Sequence, residues 1–279
     1  MPLTPVNGVH IYHEVHGEGD PVLFISGLGG HLGEVPHLIE SYRRHFRLIA
    51  FDARGCGRSD KPEGEFTIAG FADDAAALLD ALEIQSALVY GSSMGGMVAQ
   101  ELVLRHPHRV RALILGCTTA GALRGVQPST ETVQKLIRNQ SLSGDEAIAA
   151  GWELGYSAGY IAAHREQMFA RSRAASQYSA PRESYMRQVL AAARHDTYDR
   201  LHAVRCPVMI LHGSEDLMMP VGNAHLLKER IPHAELRILD GMGHGYNLEA
   251  QEEADALIIE FFRRHAACRV TEGASSAAG

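Results

Sequence analysis

The sequence predicts an α/β fold: a mainly parallel, doubly wound sheet with an inserted helical cap. Three observations predict it. Short runs that are apolar on both faces recur along the chain, which suits strands covered by helices on either side. Helical periodicities alternate with those runs, as in a parallel sheet built from strand–helix–strand units. The alternation then breaks once, between about residues 119 and 202.

In chain order, Val9, Ile11, His13 and Val15 alternate with polar neighbours and read as a half-exposed strand or hairpin. Pro21–Ile25 is a continuous apolar run ending in Ser26-Gly27-Leu28-Gly29-Gly30. Leu48–Phe51 is another, ending in Asp52. Thr67 caps a helix in which Ile68, Phe71, Ala75, Leu78, Leu79 and Leu82 share one face. Ala87–Tyr90 leads into Gly91-Ser92-Ser93-Met94-Gly95 and then a helix that His106-Pro107 stops at Arg105. Ala112–Leu115, Val208–Leu211 and Leu236–Leu239 complete the strands. Ala254, Leu257, Ile258, Phe261 and Phe262 mark a last helix. The stretch without strands carries helical segments at 131–139, 145–154, 162–172 and 183–194. It also holds the single tryptophan, Trp152. The resulting division is a core of residues 1–118 and 203–268, a cap of 119–202, and a disordered tail of 269–279.

Composition narrows the classes of function. A length of 279 residues with 46% hydrophobic and 21% charged residues fits one large globular unit. The net charge of −7 speaks against nucleic acid and anionic membrane, which both require a basic face. The four cysteines, Cys56, Cys117, Cys206 and Cys268, form no CxxC pair and have no zinc-like histidine spacing. No signal-peptide pattern and no apolar run of spanning length is present, so a reduced, cytoplasmic setting is expected. Homo-oligomerisation is left open.

The chemistry concentrates at strand ends, where open α/β sheets gather functional groups. Gly91-Ser92-Ser93-Met94-Gly95 has the Gly-x-Ser-x-Gly spacing of a nucleophile elbow between strand and helix. With 28 glycines in the chain the pattern alone is weak, so partners must support it. Asp216 follows the Val208–Leu211 run, and His244 follows Leu236–Leu239 in a loop flanked by glycines. A serine hydroxyl needs a base to take its proton, a histidine supplies one near neutrality, and a carboxylate fixes the histidine's tautomer. Asp240 is a rival acid that better serves its own turn, and Glu215 is a weaker one. The backbone N–H groups of Met94 and Leu28 are the expected oxyanion donors. Gly27, Trp152, Met218 and Gly245 are expected to touch substrate. Arginines of the cap, Arg171 among them, read as solvated helix faces, and no cofactor or metal is required.

These residues, together with Asp52-Ala53-Arg54-Gly55-Cys56-Gly57-Arg58-Ser59, make the chain resemble a serine-nucleophile α/β-hydrolase. Ser92-Ser93-Met94-Gly95-Gly96 and His244-x-x-Asn247-Leu248-Glu249 most resemble 3-oxoadipate enol-lactonases and small carboxylesterases. The resemblance implies an eight-stranded sheet and the place of the cap. It implies hydrolysis of a carboxylic ester or lactone through an acyl-serine. The oxyanion loop begins Ser26-Gly27 where His-Gly is usual. Gly245 stands where carbon–carbon bond hydrolases of the family carry Trp, and a serine nucleophile disfavours dehalogenase and epoxide hydrolase chemistry. Two alternatives remain. One is the same triad used for amide or carbon–carbon hydrolysis, perhydrolysis or a lyase reaction. The other is a ligand receptor without turnover.

Overall fold

The computed structural model describes residues 3–139 and 141–266. The expected tail and Cys268 lie outside the described residues. The elements in chain order are β1 (Leu3–Val6), β2 (Val9–His16), β3 (Pro21–Ile25), α1 (Pro36–Tyr42), β4 (Arg47–Phe51) and α2 (Ile68–Ala81). Then come β5 (Ala87–Ser92), α3 (Met94–Arg105), β6 (Val110–Gly116), α4 (Thr130–Asn139), α5 (Gly144–Gly155), α6 (Ala158–Ser176) and α7 (Arg182–Ala193). The chain closes with β7 (Val208–Gly213), α8 (Gly222–Arg230), β8 (Glu235–Leu239), α9 (Tyr246–Glu249) and α10 (Gln251–His265).

The eight strands form one sheet in the order β1-β2-β4-β3-β5-β6-β7-β8. β1 and β2 form an antiparallel hairpin, β2 runs antiparallel to β4, and every other pairing is parallel. The hairpin departs from simple alternation: Tyr12 is buried between the expected inward residues, and Val15, at the far end, is exposed.

The strands are apolar on both faces because the sheet has two cores. Leu23, Ile25, Val89 and Leu113 face α2, α3 and α8, whereas Val22, Phe24, Leu88 and Ile114 face α1 and α10. The helices start and stop as the sequence indicates. The Thr67 side chain accepts from the Gly70 N–H at 2.9 Å, capping α2. α3 ends at Arg105, before Pro107.

Where the rhythm breaks, α4 to α7 form an insertion between β6 and β7. A single antiparallel bridge between Gly121 and Asp196 joins the stretches where the chain leaves and re-enters the core. Among the described residues, no helix is long and apolar enough to cross a membrane.

Candidate active site

Ser93 sits between the last residue of β5 and the first of α3, with φ 56° and ψ −121°. This conformation is costly for a non-glycine residue, by about 1–3 kcal/mol, and survives only where its surroundings enforce it. Here they do. The Ser93 N–H donates to the Gly116 carbonyl at 2.8 Å, and the Ser93 carbonyl accepts from Thr118 Oγ1 at 2.7 Å. The flanking glycines have a steric reason. A Cβ on Gly91 would overlap the Gly95 carbonyl, and one on Gly95 would overlap that of Ile25.

Three strand ends bring three side chains together. His244 Nε2 lies 3.0 Å from Ser93 Oγ, and His244 Nδ1 lies 2.7 Å from Asp216 Oδ2. The His244 side chain is 14% exposed and that of Asp216 fully buried, so the pair is shielded while the imidazole keeps one edge toward the cavity. Asp216 Oδ1 accepts from the Met218 and Met219 N–H groups at 2.9 and 2.8 Å. Burial alone would raise the Asp216 carboxyl. The charge of His244 and hydrogen bonds from His212 and His244 outweigh it and hold the carboxyl well below the usual range. It therefore stays an acceptor for His244 Nδ1–H. The rival acids stay apart: Asp240 accepts from Ser214 Oγ at 3.3 Å, serving its turn.

His212, whose place at the end of an apolar run hides it in the sequence, also reaches this site. It is fully buried in β7, and its Nε2 lies 2.6 Å from the Met219 carbonyl and 3.3 Å from Asp216 Oδ2. A carbonyl only accepts, so Nε2 carries the proton. The ring thus braces the Asp216 loop from behind. The four-residue spacing from His212 to Asp216 was the available signal.

The candidate oxyanion donors flank Ser93. Met94 opens α3, and Leu28 lies in the loop after β3. Neither backbone N–H donates to a protein acceptor among the described residues. The loop passes close to the serine at Gly27, where a Cβ would lie 3.1 Å from Ser93 Cβ and 3.6 Å from Oγ.

A cavity of about 540 Å³ opens above Ser93, lined by both core and insertion. Gly27, Trp152, Met218 and Gly245 all line it. Met94 and Met97 pack in the core. Gly245 is held by its neighbours: its N–H donates to the Gly155 carbonyl at 2.8 Å, and a Cβ would overlap the Tyr156 ring. Arg171 corrects the expectation of a solvated helix face, because it lines the cavity within hydrogen-bond distance (2.5 Å) of His37 Nδ1. Burial, reinforced by the Arg171 charge, lowers His37 to about 4, which keeps its ring an acceptor for the guanidinium.

The thiols are poor rival nucleophiles. Burial pushes Cys56 up to about 11, and Cys117 and Cys206 up to about 12. Among the described residues, no group of three or more His, Cys, Asp or Glu side chains is arranged to hold a metal ion.

Comparison with known proteins agrees with this architecture. The sequence model described as alpha/beta hydrolase fold matches residues 20–251. A putative carbamate hydrolase of Caulobacter is 28% identical, over 92% of this chain and 97% of its own length. A 2-hydroxymuconate semialdehyde hydrolase of Pseudomonas putida is 31% identical, over 88% of each. A 3-oxoadipate enol-lactonase of Acinetobacter baylyi is 29% identical, over 92% of this chain and 94% of its own length.

Proposed function

The chain belongs to the alpha/beta hydrolase fold family, and from that membership we propose that it hydrolyses a carboxylic ester or lactone through an acyl–Ser93 intermediate. The observation that carries this reading is the line from Ser93 Oγ through His244 to Asp216, at 3.0 and 2.7 Å. It starts on a strained elbow beside two backbone N–H groups without protein acceptors.

His244 Nε2 takes the hydroxyl proton as Ser93 Oγ bonds to the substrate carbonyl carbon. The Leu28 and Met94 N–H groups hold the resulting oxyanion. Collapse breaks the carbon–oxygen bond to the leaving group, and His244 returns its proton to the departing alkoxide. For a lactone, that alcohol stays attached to the acyl chain. Water then repeats the sequence and frees the acid. Asp216 remains ionised throughout and stabilises the imidazolium. The 119–202 insertion acts as the cap that closes the cavity over the acyl group.

The enol-lactonase relative supports the lactone branch. The carbamate hydrolase relative favours a second reading, in which the same three residues cleave a carbamate or amide. Carbon–carbon cleavage has less support, because the position after His244 is Gly245 with the Tyr156 ring packed on it.

Ser93→Ala is expected to abolish both ester turnover and labelling by a fluorophosphonate probe. Full labelling of that variant would overturn the acyl-serine reading. Turnover of p-nitrophenyl esters of graded chain length, beside lactones and an aryl carbamate, separates the two readings. Exclusive turnover of the carbamate would select the second.

A further inference from the structure

The insertion reaches the candidate oxyanion loop through one fully buried side chain, Gln188 of α7. Its Oε1 accepts from the Gly29 N–H at 2.9 Å, across 159 positions of sequence. Its Nε2 donates to the Arg54 carbonyl at 3.2 Å and to Cys56 Sγ at 2.9 Å. Only an uncharged amide both accepts and donates twice at this reach; a carboxylate accepts but donates nothing, and methionine lacks an N–H. One side chain therefore ties together the loop after β3, the loop after β4 and the insertion.

Other hydrogen bonds also hold the loop after β3. The Gly30 N–H donates to the Gly27 carbonyl at 3.1 Å, and the Leu32 N–H donates to Asp52 Oδ1 at 2.7 Å. Gly29 lies inside the turn that the first of these closes, at φ +69° with no side chain to anchor it. The Gly29 N–H belongs to the peptide unit next to the one that carries the Leu28 N–H. The two units meet at the Leu28 Cα, so a rotation about Leu28 φ or ψ would swing that donor away from Ser93. The Tyr185 ring, from the same helix, lies about 3.0 Å from where a Gly29 Cβ would be. It hinders outward movement but makes no hydrogen bond to the loop.

We propose that Gln188 is a positioning residue, through which the insertion holds the Leu28 N–H in oxyanion-binding geometry. The proposal rests on the acyl-serine reading, since only that chemistry uses the donor. It implies that α7 contributes to rate as well as to enclosing substrate.

The test compares Gln188→Met with Arg187→Met. Arg187 docks the same helix by donating to the Pro62 carbonyl at 3.0 Å and has no hydrogen bond to the loop after β3. Melting temperatures are recorded, and kinetics are run well below them. Removing one oxyanion donor costs about 10²–10³ in kcat, and loosening one costs less. Gln188→Met is therefore expected to lower kcat and the rate of fluorophosphonate labelling at Ser93 by about 10- to 100-fold. KM for p-nitrophenyl butyrate should stay within about threefold, the signature of an interaction made in the transition state. Arg187→Met should leave both rates within about threefold. Equal losses in the two variants, or a raised KM at unchanged kcat, would overturn the proposal.

Should Gln188→Met not fold, Gln188→Glu carries the test, because it keeps the acceptor toward Gly29 and loses both donors. Its kcat should stay within about tenfold of wild type, and a larger loss would overturn the proposal. Wild-type protein that the probe does not label would remove the acyl-serine reading and the proposal with it. A labelled wild type with an undiminished Gln188→Met removes the proposal alone.

Discussion

Helix α3 buries ten of its twelve residues; α6, nineteen residues long, buries two. The first lies on the sheet and begins at the Ser93 elbow. The second belongs to the insertion above it. In the core, each side chain's direction follows from a period and a sheet face, so a side chain placed at a strand end is fixed by close packing. In the insertion, few positions are buried, and a handful of polar contacts decide where side chains point. The core supplies the proposed reaction centre, and the insertion lines the cavity over it.

The largest test of that contrast is at the reaction centre. Asp216→Asn preserves side-chain shape and an acceptor for the Met218 and Met219 N–H groups, but not the charge facing His244. We expect kcat for an activated ester to fall by about 10⁴-fold, with the melting temperature little changed. A loss under tenfold would mean that His244 does not depend on Asp216.

A second test uses packing. Gly95→Ala would drive a methyl group into the Ile25 carbonyl beneath the elbow. An expected cost of about 3 kcal/mol or more would appear in urea melts, together with loss of probe labelling at Ser93. An unaffected melt would mean that the elbow is less closely held than the packing indicates.

The same division decides what the sequence discloses. β3 coincides with its apolar run, and β4, β5, β6 and β7 extend theirs by one to three residues, because both faces of each strand are covered; β8, at the sheet edge, extends its run by one residue. Ser93, Asp216 and His244 stand out for the same reason: each follows a recognisable strand. His212 did not stand out, because it continues the apolar run of β7 and reads as its end. α7 inverts the usual rule. Tyr185, Met186 and Leu190 are 41%, 40% and 52% exposed, whereas Ser184 and Gln188 are buried. Apolar periodicity therefore points that helix the wrong way round. Its orientation is set by polar contacts with the loops after β3 and β4, which no local pattern encodes. Arg171 is hidden likewise, since nothing in α6 distinguishes a cavity-facing arginine from a solvated one.

The junction between the two regions should respond to acid. His195 lies beside the bridge that closes the insertion, with its ring buried and Nδ1 unpartnered among the described residues. Burial lowers its pKa to about 4, partly offset by the charge of Glu101. The unfolded chain takes up a proton near pH 6.5 while the folded protein refuses it down to about 4. This stability is therefore present above pH 6.5 and is lost as pH falls through that window. At pH 5 the loss amounts to about 2 kcal/mol, at 1.36 kcal/mol per pH unit. His195→Gln should flatten the decline in urea-melt stability between pH 7 and pH 5. A parallel decline in the variant would remove His195 as the source.

The smallest effect is the mirror image of the Gly95 test. Gly159 lies in the first turn of α6, at negative φ, and a Cβ there would meet nothing within 4 Å. Replacing it with alanine removes conformational freedom from the unfolded chain without strain in the folded one. Gly159→Ala should therefore stabilise the protein by about 0.4–1 kcal/mol. The same added methyl group is forbidden under the elbow and accommodated at Gly159, because the elbow is closely packed and that turn of α6 is not. If α6 melts with the core, the gain appears in the global urea transition. If the insertion unfolds first, the gain appears only in amide exchange of α6, and the melt stays where it was. Destabilisation by Gly159→Ala would mean that α6 is packed more tightly than its two buried residues indicate, and the contrast between the regions would fail.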